Sequence, residues 1–241
     1  MKTRFSHVVV AGAAVGLAVM AAMPWLDGQV VRPADAKGAP SGQPAVTSPS
    51  LDSLNEAVLA DRLAAIGDRT KDSLLLIAAA KIKQRIGEAD GTRKPAGGKD
   101  SAATDRKGNA PRTDIVSLLA RARDYAGGRK DLIALAEDVA KSGARGRVGG
   151  ISRTEHIVRG GVEHAVVHQF QGGEPAGVAI RGDGDTDLDL FIFDASGKRL
   201  CAADGGTDEE ICRWRPADTS EFRIVIKNLG GVSNSYRLWT N

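Results

Sequence analysis

The chain has 241 residues, enough for one or two domains, with 33 Lys/Arg against 30 Asp/Glu, 42% hydrophobic residues, 4% aromatics and 29 glycines. Residues 37–150 hold 20 Lys/Arg against 14 Asp/Glu and residues 151–241 hold 10 against 14, so a part of net +6 precedes one of net −4, as in two separately built units. A basic balance that diffuse, with no aromatics interleaved among the cations, argues against a nucleic-acid partner and reads as a solvated surface.

Lys2 and Arg4 form a short positive n-region, Val8–Met23 is uncharged and apolar, Pro24 breaks the run, and Ala34-Asp35-Ala36 is a small-x-small cleavage site. This pattern predicts a signal peptide over residues 1–36 and a mature N-terminus at Lys37. The alternative is an uncleaved anchor in the inner membrane over residues 8–26, which is about long enough to span a bilayer. Only in that case is the membrane a partner. Either route puts the bulk of the chain outside the cytoplasm, periplasmic or secreted.

Residues 37–50 are rich in Pro, Gly, Ser and Ala and predict a flexible tether. A helical region over residues 51–146 follows. Ser53 and Glu56 have the spacing of a capping box, and Leu59, Leu63 and Ile66 recur at helical period until Gly67. Thr70 is the expected cap of a second helix carrying Leu74, Leu75, Leu76, Ile77, Ile82 and Ile86, of which the Leu74–Ala80 portion is apolar all round. Residues 87–112 are charged, Gly-rich and aperiodic, and predict a disordered loop. Thr113 is the expected cap of a third helix with Ile115, Leu118, Leu119, Ala122 and Tyr125 on one face, ended by Gly127-Gly128. A fourth helix carries Leu132, Leu135, Ala136 and Val139. Two helical hairpins forming a small bundle are expected, with no polar residue projecting into the apolar faces. The region has no His and no Cys, which excludes a zinc site or a Cys/His pair there.

From Glu155 the period changes to two. Expected strands are 164–170, 176–181, 188–193, 199–203, 210–215, 222–227 and 236–240, separated by Gly, Asp, Asn and Pro. Short strands at this spacing predict an antiparallel sandwich or barrel over residues 151–241, and a β-sandwich is the expected form. The fold class is therefore α+β, four helices followed by a sandwich. The order Phe170-Gln-Gly-Gly, Asp187-Leu-Asp-Leu-Phe-Ile-Phe-Asp194, Ser-Gly-Lys, Arg213-Trp-Arg-Pro216, Phe222-Arg-Ile-Val-Ile-Lys-Asn228 and Asn234-Ser-Tyr-Arg-Leu resembles the bacterial pre-peptidase C-terminal (PPC) domain family over about residues 155–241. Ser220-Glu221-Phe222 departs from that family's Gly-Thr-Tyr, keeping the aromatic but not the Gly. The resemblance implies an accessory module of exported proteins and says little about activity.

Several constellations bear on chemistry. Asp183, Asp185, Asp187, Asp189 and Asp194 fall at positions 1, 3, 5, 7 and 12 of an EF-hand count, but Leu188 stands where the sharp turn needs Gly. No cofactor is expected, except that the first four aspartates leave room for a calcium ion in another geometry. The bland reading is a set of Asx turns leading into a strand. Arg181-Gly182-Asp183 spells an integrin tripeptide that chance supplies often. His164 and His168, four apart in a strand, are poorly spaced for one metal and read as surface imidazoles, as does His156. No Gly-x-Ser-x-Gly occurs, and Glu209 and Glu210 face opposite sides.

The two cysteines, Cys201 and Cys212, are expected to form a disulfide in an oxidising compartment. A hairpin turning between Gly206 and Thr207 would place them directly opposite each other. The expected function is an exported non-enzymatic envelope protein whose sandwich binds protein or glycan or supports folding. The alternatives are an accessory module of a secreted hydrolase, or a cryptic one, and a membrane-tethered factor docking a partner through its helical half.

Overall fold

The computed structural model describes residues 49–91, 111–142 and 150–241. The expected signal peptide with its Ala34–Ala36 site, the tether up to residue 48, residues 92–110 of the expected loop and residues 143–149 lie outside the described residues. In chain order the elements are α1 (Pro49–Thr70), α2 (Ser73–Ile86), β1 (Ala89–Asp90), α3 (Ile115–Tyr125), α4 (Lys130–Ser142), β2 (Ser152–Val158), β3 (Glu163–Phe170), β4 (Ala176–Arg181), β5 (Leu188–Phe193), β6 (Arg199–Ala203), β7 (Glu209–Trp214), β8 (Ser220–Asn228) and β9 (Asn234–Thr240).

The strands form two facing sheets, one in the order β1-β2-β9-β4-β7 and one in the order β3-β8-β5-β6. All pairs are antiparallel except the short β1 beside β2. Alternation of side chains sends Val178 and Ile180, Leu188, Leu190 and Ile192, Ile224 and Ile226, and Tyr236 and Leu238 into one core between the sheets. Strand β2 starts three residues before the period change expected at Glu155. Arg153 and Thr154 are neighbours in it, and both are buried. One lies under the helices and the other toward the core, which erases the alternation that reveals a half-exposed strand.

Four helices stand where the hydrophobic period put them, but their ends differ. Helix α1 runs through Gly67 to Thr70. A Cβ on Gly67 would lie 2.9 Å from Leu76 Cδ2, so this glycine admits α2 rather than ending α1. Thr70 Oγ1 donates back to the Ile66 carbonyl, and the cap of α2 is Asp72, whose Oδ1 accepts from the backbone N–H of Leu74 and Leu75. Asp114, not Thr113, caps α3 through the N–H of Ser117, while Thr113 is buried and accepts from Arg153. Leu74, expected inside, is 48% exposed.

The helices have a core of their own around Ala60, Ala64, Leu76, Ala80, Leu118 and Ala136. They share a second one with the sheet. Leu51, Leu54, Ala57 and Val58 of α1 and Ile86 of α2 pack on Ile151, Ala179 and Trp239. Gly177 makes the approach possible, since a Cβ there would meet Leu51 Cδ2 and Leu54 Cδ1 at 2.5 Å. The stripe Leu51, Leu54, Ala57/Val58 continues one turn on into Asp61, and Ala79/Ala80 of α2 continues into Lys83. Both are 0% exposed. This corrects the expectation that no polar residue enters the apolar faces: the helices lie on charged strands, so charge is needed inside. All described residues fall in one compact unit, and the packing runs across the change of secondary structure near residue 150.

A second correction concerns β6 and β7. They are not a paired hairpin: β6 is the edge of the four-stranded sheet and β7 the edge of the five-stranded one. The segment between them crosses from one sheet to the other.

Candidate functional site

The outer face of the five-stranded sheet is closed by α1 and α2. One register row across four strands reads Glu155, Arg237, Arg181 and Glu209. Arg181 and Arg237 each donate an Nη1–H at 2.7 Å to Oδ2 of Asp61. Arg237 also reaches Glu155 at 2.9 Å, and Glu209 pairs with Arg62 and Arg181. Beside this row the buried Lys83 pairs with Glu88 at 2.7 Å, and Glu88 accepts from the Trp239 indole N–H at 3.0 Å. Burial pushes the Asp61 carboxyl up, but Arg237, Lys83 and Arg181 outweigh it and hold it below the usual carboxylate range. Positive and negative groups alternate through the network, as befits a latch between layers.

The outer face of the four-stranded sheet faces solvent. Its rows follow from the register of β3, β8, β5 and β6. One is Glu163, Lys227, Asp189; the next is Ala165, Val225, Phe191, Ala202; the third is Val167, Arg223, Phe193, Arg199. Val167 is 53% exposed and the two phenylalanines are half-buried. Arg223 lies over the Phe193 ring at 4.5 Å and Arg199 over the Phe191 ring at 5.9 Å. Among the described residues neither guanidinium has a carboxylate within ion-pair distance. The face thus offers an apolar, aromatic middle and two free cationic groups.

The aspartates singled out for calcium spread apart. Asp183 accepts from the backbone N–H of Asp185 and Ser235, which is the Asx-turn arrangement. Asp185 is exposed in the loop, Asp187 immediately precedes β5, and Asp189 lies on β5. Among the described residues no group of three or more His, Cys, Asp or Glu has metal-holding geometry. Asp187 and Asp189 gather instead with Asp204 and Glu210 at the corner where the sheets join. Burial, then the charges of Asp187 and Asp204, push the Asp189 carboxyl up; Glu210 is raised by burial and by the same neighbours.

Cys201 and Cys212 are bridged, with Cα atoms 5.9 Å apart. The pairing expected from the sequence is present, but the register from which it was derived is not, because the bridge ties two sheets at their edges. His164, expected at the surface, is 4% exposed and its Nδ1 meets the Tyr236 hydroxyl at 3.1 Å. His156 bonds Thr154, and His168 packs edge-on to Phe170 and lines a notch between β3, β2 and β9 about the size of one water. Arg181 and Asp183 of the integrin tripeptide are tied to Asp61 and Ser235, so no presented loop carries it. Sequence reasoning missed Asp61, Lys83 and the row Arg181/Arg237. The signal was there in α1, where Asp61 follows the Leu51-Leu54-Ala57/Val58 stripe at helical spacing.

No protein-family model and no curated protein matches the chain. Among solved structures it is similar to the Yersinia pseudotuberculosis-derived mitogen, at 13% identity and TM-score 0.33, over 39% of this chain and 86% of that one. It is similar to the pre-peptidase C-terminal domain of a collagenase from Bacillus anthracis, at 8% identity and TM-score 0.31, over 37% of this chain and 87% of that one. It is also similar to PliG of Aeromonas hydrophila, a periplasmic inhibitor of g-type lysozyme, at 9% identity and TM-score 0.29, over 38% of this chain and 86% of that one.

Proposed function

We propose that this chain is an exported, non-enzymatic binding module of the cell envelope, working through the outer face of its four-stranded sheet. The observation that carries this reading is the row Ala165, Val225, Phe191, Ala202 flanked by Arg223 and Arg199. It places apolar, aromatic and cationic groups together on a solvent-facing surface. The opposite sheet is occupied by the chain's own helices, which leaves this face for a partner. The Cys201–Cys212 bridge suits an oxidising compartment and supports the exported reading.

The test is capture from envelope extracts with the natural protein and with Phe191→Ala/Phe193→Ala and Val167→Glu variants. Capture of one partner or glycan fraction, lost in these variants but kept in an Arg62→Ala variant on the helical side, is the expected result. Capture that is indifferent to the sheet face sinks the assignment. Mass spectrometry of the exported protein, with Lys37 as the N-terminus, tests the route. An intact species beginning at Met1 in the membrane fraction would show the anchored form instead.

A further inference from the structure

The sheet face proposed above to bind a partner has a feature that narrows the partner's chemistry. Arg223 and Arg199 stand in the same register row, on strands β8 and β6, with Phe193 of β5 between them. Two interstrand steps put their backbones about 10 Å apart. Each guanidinium rests over a phenylalanine ring, Arg223 on Phe193 and Arg199 on Phe191. A guanidinium held over a ring face loses part of its side-chain freedom in advance and still has N–H groups to offer a planar anion. The acids nearest this row are otherwise placed. Asp194 Oδ1 is consumed by the N–H groups of Ser196 and Lys198 and by the Ser196 hydroxyl. Glu221 sits one row away opposite Gln169, and Glu163 and Asp189 flank Lys227 on the far side of the apolar row.

We propose that the ligand of this face is an extended anionic glycan, whose ring carboxylates are held by Arg223 and Arg199 while its apolar sugar edges lie along Ala165, Phe191 and Ala202, the accessible members of the middle row. The inference rests on the sheet-face reading. The spacing favours a glycan over an extended acidic peptide. Side chains on one side of a peptide strand recur about every 7 Å, which brings no same-side pair to about 10 Å. In an extended chain of uronic acids whose rings alternate faces, the carboxylates of every second ring fall on one side, farther apart than same-side peptide side chains and with no backbone donors to satisfy.

Binding of the mature full chain to polygalacturonate, dextran and polyglutamate, measured by titration calorimetry, tests this. Polygalacturonate is expected to bind, more weakly as salt rises, with dextran silent and polyglutamate markedly weaker. Arg223→Gln and Arg199→Gln each keep a stem over the ring and are expected to weaken polygalacturonate roughly tenfold or more, with unchanged melting temperature. Equal affinity for polyglutamate overturns the glycan assignment. Binding of dextran that depends on Phe191 and Phe193 but not on the arginines overturns the anionic ligand and leaves the sheet-face reading standing. Polygalacturonate binding indifferent to Arg199 and Arg223, or no binding, overturns the proposal, and the envelope-capture experiment then decides the fate of the face separately.

Discussion

Arg181 and Arg237 are directly opposed on neighbouring antiparallel strands, and one carboxylate oxygen of Asp61 accepts an N–H from each at 2.7 Å. Like charges in that position repel. The helix therefore adds, between the two arginines, a carboxylate that both share beyond Glu155 and Glu209 of their own row, and docking of α1 and tolerance of the arginine pair depend on each other.

Asp61→Asn is expected to destabilise the protein by up to about 3 kcal/mol in urea unfolding, since it leaves two shielded guanidiniums with only Glu155 and Glu209 as partners. Replacing all three, as Asp61→Leu with Arg181→Met and Arg237→Met, is expected to recover most of that loss. The pH dependence has a definite sign. The Asp61 carboxyl is held below its ordinary value, so its contribution is fully present above the ordinary carboxylate range and fades as pH falls through the lowered value. An Asn variant that melts like the natural protein would show that the latch contributes nothing.

Reduction of the Cys201–Cys212 bridge is expected to cost about 3 kcal/mol, the chain-entropy figure for a loop this short. In a paired hairpin the ladder would already hold the ends together and the cost would be smaller. Here β6 and β7 belong to different sheets, so no strand ladder between them shares in closing the loop. Unfolding of Cys201→Ser/Cys212→Ser against the oxidised protein measures this, and a loss well below about 1 kcal/mol would point to a corner held by packing instead.

Glu210 behaves oppositely to Asp61. Burial and the charges of Asp187, Asp189 and Asp204 raise its carboxyl, so the folded state binds that proton more tightly than the unfolded one. Ionised Glu210 thus weakens the fold above both values, and the penalty is relieved as pH falls through the raised folded value. Glu210→Gln, which keeps an acceptor for the Gly205 N–H, is expected to raise the melting temperature slightly at pH 7. The gain should be under about 1 kcal/mol because the site is partly solvated. It is expected to vanish in acid, and a gain independent of pH would place its cause elsewhere.

Cleavage in the Gly-rich stretches 87–112 or 145–152 is expected to nick the chain without releasing its parts. Leu51, Leu54, Ile86, Ala179 and Trp239 share a buried cluster across the two halves. The nicked fragments should co-elute in size-exclusion chromatography and separate only in denaturant. A free fragment from about Ile151 to Asn241 would show that the sandwich is self-sufficient.

The bounds of β4, β5 and β6 were legible to the residue, because Gly, Pro, Asp and Ser turn residues flank these short apolar runs. The calcium reading of Asp183–Asp189 rested on spacing alone. Spacing along a chain that turns and then becomes a strand sends successive carboxylates apart, to Ser235, to solvent and to the corner with Glu210. Strand β2, with side chains buried on both faces, showed no alternation to read.

By itself the sequence determined the four helices, the seven strands from β3 to β9, the sandwich and the pairing of its two cysteines, because each depends on local period or on there being a single possible partner. Only the tertiary structure decided that α1 lies on the sheet, that Asp61 and Lys83 are interior, that β6 and β7 part to different sheets, and which sheet face is left to solvent. Those outcomes depend on contacts between residues more than a hundred positions apart, such as Asp61 with Arg237. No local pattern along the chain encodes which layer a charged residue will meet.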